Sequence, residues 1–197
     1  VIAKNLDEPL YHFAVVVDDW EMKVSHVIRG EDHISNTSRQ ILIQEALGAP
    51  RPIYAHIPLI LAPDRSKLSK RHGAVSVTEY REQGFLPEAL INYLALLGWN
   101  PGTNQEIFSL TELVRQFSLT KVQKGGAIFN PDKLKWLNRE HLRRAPEAIW
   151  QNCFTEEWSA AIRAKLVPLL RERSDTIVEA RSLIASTADL RASGADE

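Results

Sequence analysis

The sequence has one cysteine in 197 residues, Cys153, and no excess of charge of either sign. A single thiol excludes an intramolecular disulfide framework and any zinc site built from several cysteines, and it suits the reducing cytoplasm. Twenty-four Lys and Arg against twenty-five Asp and Glu give a formal net charge of -1. No overall positive charge therefore indicates a nucleic-acid partner, although this balance still permits a local basic surface.

Long apolar runs are also absent. The densest stretch, residues 86–99, is interrupted by Glu88, Asn92 and Gly98, so the sequence predicts no membrane span. The composition, 44% hydrophobic and 25% charged, is that of a folded globular protein rather than a disordered chain. We expect a cytoplasmic protein that does not associate with membranes.

The first third of the chain alternates strand-like and helix-like stretches. Aromatic and β-branched runs favour strands, and a helical repeat of apolar residues that stops at Gly48 favours a helix. The predicted order is a strand at 11–17, a strand at 24–29, a helix at 36–47 and a buried parallel strand at 57–61. Strand, helix and strand in this order predict a βαβ unit.

From Pro63 onward the apolar residues recur at helical spacing. Asn130 precedes Pro131 as a possible N-cap. The predicted helices are 87–97, 110–117, 131–142, 156–170 and 176–188. We therefore expect a mostly α fold with a small α/β part, in which a partial Rossmann-type βαβ half is followed by helices.

The segment 57–73, IPLILAPDRSKLSKRHG, carries the clearest chemical signal. An apolar run leads into a turn, and four cations follow within seven residues: Arg65, Lys67, Lys70 and Arg71. Doubly wound sheets bind phosphates at such loops, and ammonium groups that reach a phosphate only in the transition state lower the barrier selectively. Ser69 adds a hydroxyl donor. By composition alone, a solvated surface loop is the alternative.

The order of residues goes further than the composition. Residues 67–71, KLSKR, resemble the KMSKS-type loop of class I aminoacyl-tRNA synthetases, in the form usual for bacterial glutamyl enzymes. The flanking segments are similar to the same family: VIRGEDH at 27–33, HIPLIL at 56–61, RHG at 71–73, GFLPEAL at 84–90 and NYLALLGW at 92–99. The resemblance to bacterial-type glutamyl-tRNA synthetases extends from Pro9 to Leu142.

The resemblance implies three regions. Residues 1–62 correspond to the second half of the nucleotide-binding domain, 63–145 to the KLSKR loop and a helical stem-contact domain, and 146–197 to the start of a helical anticodon-binding domain. The family's HIGH-type motif and inserted acceptor-binding domain have no counterpart in the sequence, which opens with Val1 rather than Met. We expect a part of a longer, monomeric ligase that is inactive alone, because half a site cannot orient both reactants.

The family activates L-glutamate with ATP, whose phosphates hold most of the Mg²⁺ coordination, and transfers the glutamyl group to tRNA(Glu). By position, the glutamate contacts implied are Tyr11, Val15 and Arg29. The implied ATP contacts are Asp32, His33, the backbone of Ile60, Lys67 and Lys70. The implied catalytic residues are Lys67, Ser69, Lys70 and Arg71. Two structural alternatives stay open: core packing for Tyr11, and pairing of Arg29 with Glu31 or Asp32.

The resemblance also implies contacts to tRNA phosphates, which dominate recognition of a helical stem. The candidates are Lys121, Lys124, Arg139, Arg143 and Arg144, and solvated surface charge is the alternative for each. No metal site is predicted, neither zinc nor another ion. The acidic residues near Asp18, Asp19 and 31–33 lack an ordered ligand spacing.

Three other functions remain open at this point. A glutaminyl-tRNA synthetase and a glutamyl-queuosine-type paralogue share much of the motif set. The former ends in β-barrels, and the latter generally stops soon after its KMSKS-like loop. A stand-alone, non-catalytic tRNA-binding module is the alternative from a different class. None of these interpretations involves DNA.

Overall fold

The computed structural model describes residues 1–5, 7–69 and 76–192, and its contacts divide the chain into two compact units. Unit 1 contains Val1–Ile60 and Val122–Ala127, and unit 2 contains Leu61–Lys121 and Ile128–Glu197. Lys70 and Arg71 of the predicted catalytic loop lie outside the described residues.

Unit 1 is built around a parallel βαβ unit. Its elements are β1 (Ala3–Asn5), β2 (Glu8–Pro9), α1 (Tyr11–Glu21), β3 (His26–Gly30), a 3-10 turn (Glu31–His33), α2 (Ile34–Leu47) and β4 (Ile53–Ile57). Strand β1 pairs with β2 in antiparallel fashion, and β3 pairs with β4 in parallel. Helix α2 ends at Gly48, which has a φ of +67°, so the predicted glycine C-cap is confirmed.

Two strand predictions were wrong. Residues 11–17 lie in helix α1, although the run Val15–Val17 favours a strand by propensity. Helix α1 packs against α2. This tertiary packing overrides the weak local preference of β-branched residues.

The second error is the position of the parallel strand. The sequence predicted it at 57–61, but β4 is Ile53–Ile57, and the following Pro58 has no N–H with which to continue the ladder. Ile60 and Leu61 form a separate short strand, β5, which pairs with β6 (Ala127–Ile128). Strand, helix and strand do follow in the predicted order.

Unit 2 is helical over most of its described residues. Its helices are α3 (Val77–Glu82), α4 (Pro87–Gly98), α5 (Leu110–Gln116), α6 (Pro131–Arg144), α7 (Glu147–Gln151), α8 (Ala160–Arg173) and α9 (Ile177–Ala192). Capping boxes begin α3 at Ser76 and α5 at Ser109. Asn130 caps α6 by accepting a hydrogen bond from the Lys133 N–H at 3.1 Å, as predicted. Helices α3 and α7 were not predicted.

Two buried asparagines join the helices of unit 2. The Asn138 side chain accepts from the Leu86 N–H at 2.8 Å and donates to the Asp175 carbonyl at 2.6 Å. Asn92 accepts from the Phe108 N–H at 2.8 Å and donates to the Glu106 carbonyl at 3.0 Å. Around them lies an apolar core that includes the side chains of Trp99, Phe108, Leu137, Leu142 and Trp150.

The fold class is confirmed: the chain is mostly α with a small α/β part. The division at residues 62 and 145 stays a prediction. None of the helices described combines the length and apolar character that a lipid bilayer requires of a spanning segment.

Candidate active site

The predicted glutamate and nucleotide contacts of unit 1 lie near the carboxyl end of β3. Arg29 is the fourth residue of the strand and pairs in register with His56 of β4. The 3-10 turn with Asp32 and His33 follows at once. Polar groups at the carboxyl ends of parallel strands are where α/β folds bind their ligands.

Neutral groups hold the guanidinium of Arg29. Its Nη2 donates to Thr37 Oγ1 at 2.8 Å and to Gln40 Oε1 at 2.7 Å, and its central carbon lies 5.4 Å from the centroid of the Tyr54 ring. In the described part of the chain, no carboxylate lies within ion-pairing distance of this guanidinium. The positive charge is therefore oriented but not neutralised.

Within the described residues, the structure shows no ion pair between Arg29 and Glu31 or Asp32. Glu31 instead accepts a hydrogen bond from the Leu59 N–H at 3.2 Å, which ties the 3-10 turn to the segment after β4. Asp32 lies close to the backbone, since a Cβ at Gly30 would approach its Oδ1 to 2.5 Å. Glycine at position 30 thus permits the Asp32 side chain to fold back.

Asp19 feels the charge of Arg29 at longer range. Burial raises the pKa of Asp19, the positive charge of Arg29 lowers it, and the neighbouring Asp18 raises it again. Among the residues that the structure describes, no three His, Cys, Asp or Glu side chains are grouped closely enough to hold a metal ion.

Tyr11 and His33 lie near each other. Tyr11 is the first residue of α1 and is 51% exposed, and its ring centroid is 6.3 Å from that of His33. This exposure does not fit the core-packing alternative. Val15 is half-buried one helical turn after Tyr11, on the same side of α1. The His33 Nδ1 accepts from the Asn36 side-chain amide at 3.1 Å, since that nitrogen can only donate.

A tight turn leads into the cationic loop. In unit 2, the Ala62 N–H donates to the Ser66 carbonyl at 2.8 Å, and Asp64 Oδ1 accepts from both the N–H and the hydroxyl of Ser66. Arg65 adopts a φ of +64° at the bend. The chain thereby returns until Lys67 forms an antiparallel bridge with Leu61.

The predicted residues on this loop differ in exposure. Lys67 is exposed and Ser69 is half-buried. Ile60, the predicted adenine contact, precedes the turn in β5 with 36% of its surface exposed.

The basic residues predicted to contact RNA differ in the hydrogen bonds and ion pairs that they form within the protein. Lys121 donates to the Pro101 carbonyl at 2.8 Å, Arg139 pairs with Asp175 at 3.3 Å, and Arg143 pairs with Glu140 at 2.7 Å. Arg144 lies 4.0 Å from Glu140 and is largely exposed. Lys124 is exposed and makes no hydrogen bond or ion pair within the described residues.

Sequence reasoning missed the residues that surround Arg29. Thr37, Gln40 and Gln44 recur at helical spacing along α2, and Gln40 and Gln44 are only 1% and 3% exposed. They face Tyr54 and His56 of β4. The sequence signal for these residues was the recurrence of polar side chains every three or four positions, which is the spacing of one helix face.

The parallel βαβ unit, with polar side chains where β3 ends, places unit 1 in the Rossmann class of nucleotide-binding folds. Residues 1–136 match the family model described as tRNA synthetases class I (E and Q), catalytic domain. The chain belongs to this family, whose letters stand for glutamate and glutamine.

Named relatives agree with the family model. Glutamate–tRNA ligase 1 of Acidithiobacillus ferrooxidans is 50% identical over an alignment of 190 positions, and the match covers 91% of this chain and 41% of that protein. The glutamate–tRNA ligase of Carboxydothermus hydrogenoformans is 58% identical over 145 residues, 74% of this chain and 30% of that protein. The chain spans less than half the length of these curated relatives.

A solved structure shares the fold. The crystal structure of a glutamate tRNA ligase from Elizabethkingia meningosepticum, in complex with its amino acid, superposes with a TM-score of 0.82 at 37% identity. The match covers 92% of this chain and 41% of that chain.

Proposed function

We propose that this chain carries part of the active site of a glutamate–tRNA ligase. The complete enzyme activates L-glutamate with ATP and Mg²⁺ to glutamyl-adenylate and then transfers the glutamyl group to tRNA(Glu). Membership of the family and the names of the relatives support this reaction.

The observation that carries the proposal is the state of Arg29. A guanidinium held by Thr37, Gln40 and Tyr54 keeps its orientation, and no carboxylate within the described residues forms an ion pair with it in competition with a ligand. An incoming carboxylate gains a charge-assisted hydrogen bond, which is shorter and stronger than a neutral one. Arg29 is therefore the contact for glutamate, with the exposed Tyr11 and the half-buried Val15 of α1 as further contacts.

The nucleotide side of the proposal rests on the family motifs. Asp32, His33 and the backbone of Ile60 contact the ribose and adenine, and Lys67 and Lys70 contact the phosphates. When a carboxylate oxygen of glutamate attacks the α-phosphorus, charge builds on the departing pyrophosphate. Ammonium and hydroxyl groups of the KLSKR loop, including Ser69 and Arg71, stabilise that charge.

The helices of unit 2 bind the tRNA. We assign residues 77–142 to the stem-contact region and the helices from 146 to the start of an anticodon-binding region. Arg144 and Lys124 are the first candidates for phosphate contacts, because their charges are least engaged within the described residues.

The chain alone does not complete the site. The sequence has no HIGH-type motif, and unit 1 exposes the apolar face of its sheet, with Ile28, Ile53 and Ile57 uncovered. In a doubly wound sheet both faces are covered. We expect the missing part of the catalytic domain to cover this face and to supply the first half of the active site.

Glutamate-dependent exchange of pyrophosphate into ATP tests the proposal. It is measured for the purified chain and for a chimeric ligase in which this chain replaces the matched segment of the Acidithiobacillus ferrooxidans enzyme. We expect no exchange by the chain alone and exchange by the chimeric ligase.

Two results would contradict the proposal. Exchange by the chain alone would overturn its inactivity. A chimeric ligase that unfolds cooperatively but fails to exchange with glutamate would overturn the function. If the chain binds tRNA without supporting exchange in the chimera, it is a tRNA-binding module.

A further inference from the structure

The side of the β3–β4 sheet that faces α2 is largely polar, in contrast to ordinary core packing, although Val27 lies on the same face. The strands contribute Arg29, Tyr54 and His56, and the helix contributes Thr37, Gln40 and Gln44. Burying polar side chains is costly unless they bond to one another. A layer of this kind needs a reason other than stability.

Thr37 is the centre of the layer. Its Oγ1 lies 3.1 Å from the His33 carbonyl, 2.8 Å from the Arg29 Nη2 and 3.0 Å from the His56 Nε2. A hydroxyl has one hydrogen to donate and two lone pairs to accept with. A carbonyl can only accept, whereas the His56 Nε2 donates or accepts according to its tautomer. With the hydrogen directed to His33, four residues earlier, both lone pairs accept.

This bonding pattern fixes the neighbouring groups. In this arrangement Arg29 donates to one lone pair, and His56 carries a hydrogen on Nε2 and donates to the other. Thr37 thus joins β3, β4 and the end of the 3-10 turn through one atom. With the bond to Gln40, both hydrogens of the Arg29 Nη2 are used. Its Nη1 donates to no acceptor within the described residues, so that edge of the guanidinium is left for a ligand.

We propose that Thr37 is a positioning residue for glutamate recognition: its hydroxyl orients the Arg29 guanidinium toward the substrate carboxylate and connects it to the backbone of His33. The inference rests on the proposed function, because it takes Arg29 as the glutamate contact. Without the hydroxyl, Arg29 keeps only the Gln40 bond and the Tyr54 ring, and its Nε has no partner within the described residues.

The test compares three variants of the chimeric ligase. Thr37→Val keeps the shape and removes the hydroxyl, and Thr37→Ser keeps the hydroxyl. Ser38→Ala removes a neighbouring hydroxyl whose one bond within the described residues is to the Ser35 carbonyl. We expect Thr37→Val to raise the KM for glutamate about tenfold, the effect of one hydrogen bond to a charged group. The KM for ATP should stay unchanged, and Thr37→Ser and Ser38→Ala should behave like the wild type.

A second measurement separates positioning from a structural role. In nitrogen NMR spectra of the ¹⁵N-labelled chain, His56 should carry its hydrogen on Nε2 in the wild type and in Thr37→Ser, and should lose this preference in Thr37→Val. Equal losses for glutamate and ATP, or a Thr37→Val ligase with wild-type KM for glutamate, would overturn the inference while the function stands. A folded wild-type chimera without glutamate-dependent exchange would overturn both.

Discussion

Unit 1 and unit 2 differ in what they bury. In the described part of unit 1 the fully buried side chains are one valine, Val16, and two glutamines, Gln40 and Gln44. The other face of its sheet leaves Ile28, Ile53 and Ile57 at 45%, 62% and 39% exposure. Unit 2 buries tryptophans, leucines and phenylalanines in extended clusters.

The difference separates stability from recognition. Burial of large apolar side chains is the main favourable term in folding, so unit 2 holds its own helices together. In unit 1, buried polar side chains orient Arg29, and under the proposed function another part of the catalytic domain packs on the exposed apolar face of the sheet. Substitutions in unit 2 should therefore change stability, and those in the polar layer of unit 1 should change substrate binding.

The largest effect on stability is expected at Asn138. Asn138 is fully buried, and replacing it by Leu removes the side-chain partner of the part-buried Leu86 N–H and Asp175 carbonyl, which costs about 4 kcal/mol of unfolding free energy. Denaturant unfolding followed by tryptophan fluorescence in a Trp20→Phe background reports on unit 2. Asn104→Ala, an exposed asparagine of the same unit, is the control and should have little effect. If Asn138→Leu lost as little unfolding free energy as the control, the claim that unit 2 holds its own helices together would be contradicted.

Gly84 is the next position. It has a φ of +83°, and a Cβ there would lie 2.7 Å from the backbone nitrogen of Val178 in α9. Gly84→Ala should cost about 3 kcal/mol, from backbone strain together with the displacement of α9. Gly102 has a φ of +82° with nothing within 4 Å of the same Cβ, so Gly102→Ala measures the strain alone, about 1 kcal/mol. Equal losses of unfolding free energy in Gly84→Ala and Gly102→Ala would show that α9 moves away from the new Cβ at no cost in free energy.

Substitution of Arg29 tests the prediction that the polar layer of unit 1 determines substrate binding. In the chimeric ligase, Arg29→Gln should raise the KM for glutamate about a hundredfold, because the charge that meets the carboxylate is lost. The unfolding midpoint should change little, since only neutral partners lose a bond. Arg51→Gln, an exposed arginine of the same unit, should leave both quantities unchanged. A variant that mainly lost stability would place Arg29 in the structure rather than in the site.

The smallest effect is a pH dependence in unit 2. Burial lowers the pKa of His141, the charge of Arg144 lowers it further, and Glu88 opposes them. Because the folded pKa lies below the unfolded value of 6.5, the unfolded chain binds the proton first as the pH falls. Stability contributed by neutral His141 is therefore present above the unfolded pKa and is lost as the pH drops through it toward the folded pKa.

Unfolding measured on both sides of the unfolded pKa checks this sign. His141→Gln should reduce the decrease in unfolding free energy on acidification, because glutamine does not titrate and can still donate to Asn92 Oδ1. His26→Gln, at an exposed histidine of unit 1, should leave the slope as it is. A stability of unit 2 that rises on acidification through this range would contradict the burial argument.

The sequence predicted most helices because their signals are local. Asn130 before Pro131 and Gly48 after α2 mark helix ends by capping chemistry that needs no tertiary information. Helix α1 was missed because the run Val15–Val17 favours a strand, and only its packing against α2 decides otherwise.

The candidate site divides in the same way. Arg29 and Lys67 were predicted as site residues from motifs, since each lies in a short recognisable segment. Thr37 was not found, because its role depends on hydrogen bonds to residues four, eight and nineteen positions away. Such a cluster exists only once β3, α2 and β4 have folded together.

The amino-acid dependence of pyrophosphate exchange tests the central claim most directly. The chimeric ligase is assayed with L-glutamate and with L-glutamine, which has the same shape but no side-chain charge. If the guanidinium of Arg29, which has no ion-pair partner within the described residues, selects the substrate, exchange should follow glutamate and be lost with glutamine. Equal exchange with both amino acids, or a preference for glutamine, would contradict the account.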